Sequence, residues 1–94
     1  MRYELREQAL EDLVTAAIYY NSKEPGLGDR LADAVEEALE RLKLFPESAQ
    51  TVHDKVRRIR ATPFRFAVFY VVATDRIDVL RILHLARDPA TWPE

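Results

Sequence analysis

Residues 57–70 read RRIRATPFRFAVFY: four arginines lead into a nearly unbroken apolar run, in a chain of 94 residues whose formal net charge is −2. The stretch reads as two strands, Val56 to Ala61 and Arg65 to Val72, joined by the short connection Thr62-Pro63-Phe64. Side chains alternate along a strand, so Phe66, Val68, Tyr70 and Val72 face one way and Ala67, Phe69 and Val71 the other. Apolar residues on both sides predict a central strand, covered on both faces. The same alternation puts Arg58 and Arg60 on one face of the first strand and Arg57 on the other, with Arg65 starting the next strand beside Arg60.

Working outward, Ala73-Thr74-Asp75-Arg76 is a second short connection, and a third strand follows from Ile77 to Leu85. Strict alternation there groups Leu80 with Ile82, and Val79, Leu83 and Leu85 with Arg81. The three strands predict an antiparallel meander. Upstream, Glu47 to Lys55 is a polar stretch, and before it lie two helical patterns. In the first, Leu10, Leu13, Ala17 and Tyr20 recur at three- and four-residue intervals, with Glu11 and Asp12 near the front where the helix dipole favours acids. Asn21, Ser22, Pro25, Gly26 and Gly28 are expected to end it in a tight connection. In the second, Leu31, Val35, Ala38, Leu39, Leu42 and Phe45 form the stripe and Pro46 closes it. With an extended start at Tyr3-Glu4-Leu5, the expected order is β-α-α-β-β-β: an α+β fold with a helix hairpin packed on a small antiparallel sheet, in one domain spanning 1–94. Asp88-Pro89 reads as the cap of a short terminal helical turn.

The totals agree with a folded domain: 48% of residues are hydrophobic and 32% charged. The absence of cysteine excludes a disulfide framework, a thiolate zinc site and a cysteine nucleophile, and fits a reducing cytoplasm. The N-terminus MRYELREQALED has no apolar stretch of signal-peptide length and no later segment has the length of a membrane span, so export is not expected. The mild total charge hides a polarity, since residues 1–50 carry six lysines and arginines against eleven acids, and residues 51–94 carry eight against five.

Candidate sites follow from that polarity. Arg57, Arg58, Arg60 and Arg65 suit phosphates or carboxylates of a partner, or pair internally with the glutamates of the second helix. His84 and Arg87 lie three residues apart at the end of the last strand. There His84 either serves as a base toward a ribose 2′-hydroxyl or hydrogen-bonds the terminal turn, with Arg87 paired to Asp88 or a carbonyl. His53 sits in a polar loop. Gly26-Leu27-Gly28 lacks the third glycine of a dinucleotide loop and reads as a turn. No histidine pair has metal-ligand spacing, and Ser22 and Ser48 have no nucleophile-elbow surroundings, so neither a metal, a cofactor nor a hydrolase is expected. Tyr19, Tyr20, Phe66, Phe69 and Tyr70 are expected in the core.

The segments ALEDLVTAAIYY (9–20), PGLGDRLADAVEEALERLKLFP (25–46), VRRIRATPFRFAVFYVV (56–72) and above all IDVLRILHLARDPATW (77–92) resemble the RelE/ParE superfamily of bacterial toxins, also described as plasmid stabilisation proteins. The HxxRDP…W ending is similar to the ParE branch in particular. The resemblance implies a type II toxin-antitoxin system, with a cognate, ParD-like antitoxin binding across the toxin in a hetero-oligomer. For the ParE branch it implies a poison of DNA gyrase with no chemistry of its own. For the RelE branch it implies a ribosome-dependent mRNA endonuclease, whose catalytic set here would be Arg58, Arg60, His84 and Arg87. A third reading is a non-toxic relative acting only as a binding domain. A sequence pI of about 5.7 and the lack of a C-terminal tyrosine or histidine favour the gyrase reading. It makes Arg57, Arg58, Arg60, Arg65, His84, Arg87 and Trp92 candidates for contact with target or antitoxin, Trp92 as a lid over the sheet end or part of an antitoxin groove. An apolar sheet face carrying Phe69, Val71, Val79 and Leu83, or its opposite, is expected to lie open to that partner.

Overall fold

The computed structural model describes residues 1–87. The chain forms β1 (Arg2–Leu5), α1 (Glu7–Lys23), α2 (Leu27–Leu44), β2 (Gln50–His53), β3 (Val56–Arg60), β4 (Phe66–Val72), β5 (Arg76–His84) and a 3-10 turn at Leu85–Arg87. The expected α+β order is present, with a helix hairpin on one side of a five-stranded sheet in the order β1-β5-β4-β3-β2. β1 joins β5 in parallel and every other pairing is antiparallel. The expected short helix after Asp88, the Arg87 side chain and Trp92 lie outside the described residues.

The helix hairpin is closed by two small residues with different tasks. Gly26 stands at φ 89°, a left-handed conformation that side-chain-bearing residues seldom adopt. Gly28 lies where a Cβ would collide with the main chain of Ala17, so it permits the close approach of α1 and α2. Asn21, expected to break α1, lies inside it, because α1 runs on to Lys23. Its Oδ1 accepts the Gly28 N–H at 2.7 Å, satisfying one of the donors that the first turn of α2 leaves without an intrahelical partner.

The core residues of α1 are Ala9, Leu13, Ala16 and Tyr20, one position away from the expected stripe at two places. Leu10, Val14 and Ile18 point outward at 53%, 49% and 66% exposure. Apolar residues on all sides of this helix left the buried face ambiguous from spacing alone. In α2 the expected stripe is buried from Leu31 to Leu42, but Phe45 follows the helix and is exposed.

The sheet departs from expectation at two places. The polar stretch contains an edge strand, β2, whose side chains are exposed on both faces and which is held to β3 by backbone pairing through a turn at Asp54-Lys55. β5 carries a bulge: Phe69 pairs with Arg81 and Tyr70 with Val79, leaving Leu80 as the extra residue. Beyond it the alternation reverses, so Val79 and Ile82 both face the helices, while Leu80 and Leu83 join Phe69 on the other side.

Candidate functional site

The face of the sheet turned away from α1 and α2, helix-free among the described residues, collects what the arginine-rich stretch brings. Arg58 pairs with Phe69 and Arg60 with Ala67, so both arginines extend the row that begins at Val56. Val56, Ala67, Phe69 and Leu83 form a small buried cluster there, with Val71, Leu80 and Leu85 partly buried around it. Phe69 is only 1% exposed. The expected open apolar face is therefore corrected in two respects: Val79 belongs to the helix side, and the centre of the helix-free face is buried. Large exposed apolar side chains instead lie on α1 and at the end of α2, where Leu44 and the following Phe45 protrude.

The four arginines have separate fates. Arg57 faces the helix side, where one guanidinium nitrogen donates to the carbonyls of Glu47 and Ala49 at 3.1 and 2.6 Å and holds the loop before β2. Tyr70 donates to the Pro46 carbonyl at 2.9 Å, and burial raises its hydroxyl pKa, so it stays a neutral donor. Arg60 folds over its own turn, donating to the carbonyls of Phe64 at 2.9 Å and Pro63 at 3.4 Å. Arg58 is half-buried, and Arg65 is exposed just before β4. Where partners of Arg57 and Arg60 are defined, they are carbonyl oxygens and not the glutamates of α2, so both guanidinium charges remain uncompensated by those contacts.

His84 lies on the opposite side of the sheet from Arg58 and Arg60. It pairs with Phe66 across the ladder, and its ring meets Phe66 edge to face at 5.2 Å. Nδ1 accepts the Ala86 N–H at 3.0 Å, as one of the two expected roles requires, fixing the start of the 3-10 turn. Tyr19, expected in the core, is 55% exposed.

A groove of about 880 Å3 crosses the helix-free side between Val56, Val71 and Leu80, bordered by Arg6, Lys55 and Arg81. Sequence reading passed over Arg6 and Lys55, each a lone cation next to a turn or helix start. Arg6 reaches Asp78 at 3.4 Å and Arg76 reaches the same carboxylate at 2.8 Å. Burial opposes ionisation of Asp78, but the bonds from Arg76 and Arg6 outweigh it and hold the carboxyl below the usual aspartate range. At the end of the groove, Asp12 on α1 accepts Arg81 Nε at 2.8 Å and a second guanidinium nitrogen at 3.0 Å. Its carboxylate also takes the Ile82 N–H at 3.0 Å, on the edge of β5 beyond the last residue paired with β1. The Asp12 hydrogen bonds raise the pKa of Arg81 further, fixing it as a cation. Among the described residues no three His, Asp or Glu side chains come together as a metal-binding group, and no helix is long and apolar enough to cross a membrane.

The chain's structure is similar to that of the chromosomal ParDE toxin-antitoxin system from P. aeruginosa, with a TM-score of 0.78 and 19% sequence identity over 89% of this chain and 95% of that one. That likeness concerns the fold. No curated protein matches the chain. The family model for the ParE toxin of the type II toxin-antitoxin system, parDE, matches residues 3–89. With nearly the whole length matched, the chain belongs to the ParE toxin family of type II toxin-antitoxin systems.

Proposed function

We propose that this toxin inhibits DNA gyrase by binding it, performs no bond-breaking itself, and is neutralised by a ParD-like antitoxin in the cytoplasm. Family membership supports the antitoxin partner, and gyrase is the target that the resemblance of the sequence to the ParE branch implies. The observation that carries the non-enzymatic part is the division of the candidate residues between two faces: Arg58 and Arg60 follow the Val56 row on the helix-free side, and His84 faces α1. General acid–base cleavage needs its proton-transfer and phosphate-stabilising groups converging on one reacting centre. Docking needs only a shaped surface of suitable charge, and a buried apolar centre flanked by guanidinium groups supplies one for acidic protein or phosphate.

The test is direct. Purified toxin titrated into gyrase with relaxed plasmid and ATP is expected to abolish supercoiling and to accumulate cleaved, protein-linked DNA, while message in a translating extract stays intact. Undisturbed supercoiling together with codon-phased cuts in the message would move the target to the ribosome.

A further inference from the structure

A second concavity, of about 470 Å3, opens on the helix side of the sheet, where α1 passes over the ends of β4 and β5. One wall is a ladder of rings in edge-to-face contact. Tyr19 meets Tyr20 at 5.3 Å between centroids, Tyr20 meets Phe66 at 5.9 Å, and Phe66 meets His84 at 5.2 Å. Apolar lining comes from Ala16 and Ile82, and two carboxylates, Glu11 and Asp12, border the same cavity.

The charge of the pocket follows from the partners. Asp12 is committed to Arg81 and to the Ile82 N–H, so that ion pair cancels itself. Glu11, exposed on the adjacent position, contributes further negative charge to the lining, although it also acts on Arg81. Aromatic faces add to it, because their quadrupoles present negative charge to a cation. The Tyr19 ring already receives one from within the chain, with Lys23 Nζ 5.1 Å from its centroid.

Apolar lining, aromatic walls and an exposed carboxylate together fit an organic cation carried on an apolar stem. We propose that this pocket receives an arginine or lysine side chain from a bound protein segment, the stem against Ala16 and Ile82 and the cationic head among Tyr19, His84 and Glu11. That the segment belongs to the antitoxin rests on the reading of the preceding subsection; the specificity of the pocket for a cation does not.

The experiment titrates the full-length, 15N-labelled protein with the N-acetyl amides of arginine, lysine and citrulline at constant ionic strength. Saturable shifts are expected at Glu11, Thr15, Tyr19 and His84 with the two cationic amides, in the millimolar range, and at least about threefold weaker binding with neutral citrulline. Glu11→Gln and Tyr19→Ala, both at exposed positions, are each expected to weaken the cationic amides about twofold to fivefold while the rest of the spectrum is retained. Added salt should act in the same direction for wild type and have little effect on Glu11→Gln. Absence of saturable shifts, or citrulline binding as well as arginine, would overturn the proposal. Neither outcome bears on gyrase, and a toxin inactive on gyrase would leave the pocket's preference untouched.

Discussion

On one face of the sheet, Phe66, Val68, Tyr70, Ile77, Val79 and Ile82 meet Leu31, Val35, Leu39 and Leu42 of α2 and the inner side of α1. On the other face, four buried residues, Val56, Ala67, Phe69 and Leu83, make a smaller cluster continued by Arg58 and Arg60. The same three strands feed both. What differs is the cover: two helices bury most of the first face, whereas the second mixes apolar and cationic side chains in one row. A guanidinium cannot enter a packed core without costly desolvation, so its place in that row marks where the apolar core ends. The larger share of the buried apolar residues accordingly lies on the helix side.

Core truncations test that division most strongly. Leu42→Ala, fully buried under the helices, is expected to cost ~2–5 kcal/mol, and Leu83→Ala on the smaller cluster less, near the lower end of that range. Equal losses in chemical denaturation would show that the two faces contribute alike. Next in size is Asp12→Ala, which strands the partly buried Arg81 and removes the acceptor of Ile82 N–H. A loss of about 2 kcal/mol is expected, with a matching rise in amide exchange along β5 near the bulge.

The bulge also shows how far sequence could reach. β4 was legible because seven apolar residues in a row, Phe66 to Val72, leave only a doubly covered central strand as an explanation. β5 was legible as a strand, but the facing of Leu80 onward was not, since one inserted residue reverses every later side chain without leaving a mark in composition. β2 carries no alternation because both of its faces meet water, and edge pairing is carried by backbone groups common to all residues. In α1 the outward Leu10, Val14 and Ile18 compete with the inward stripe, and only the packing of α2 through Gly28 decides between them. For the candidate site, period two correctly separated Arg57 from Arg58 and Arg60, and the charge polarity pointed to the hairpin. What spacing could not supply was the pairing of Asp12 with Arg81, 69 residues apart, or the capture of Arg57 and Arg60 by main-chain carbonyls.

A smaller effect concerns acid. The Asp78 carboxyl, held below its ordinary value by Arg76 and Arg6, is ionised in the folded chain at pH values where the unfolded chain protonates it. Its contribution is therefore present above the unfolded aspartate value of about 3.9 and fades as pH falls through the lower folded value. Wild type should lose stability on acidification from pH 5 toward about pH 3. Asp78→Asn should show a shallower slope, read from denaturant midpoints at each pH. An identical slope in the variant would remove Asp78 from the account.

The smallest expected stability effect belongs to the residues given the largest functional weight, and that contrast is the most direct test. Arg58→Ala/Arg60→Ala, with Arg60→Glu alone as a second variant at an exposed position, should be compared with wild type in thermal melting and in gyrase supercoiling. The account predicts melting within a few degrees of wild type and inhibition weakened about tenfold or more, since truncating a charged interface contact typically costs over 1 kcal/mol. Variants that fold normally and still inhibit at wild-type concentrations would contradict it, and would place the docking surface away from the arginine row.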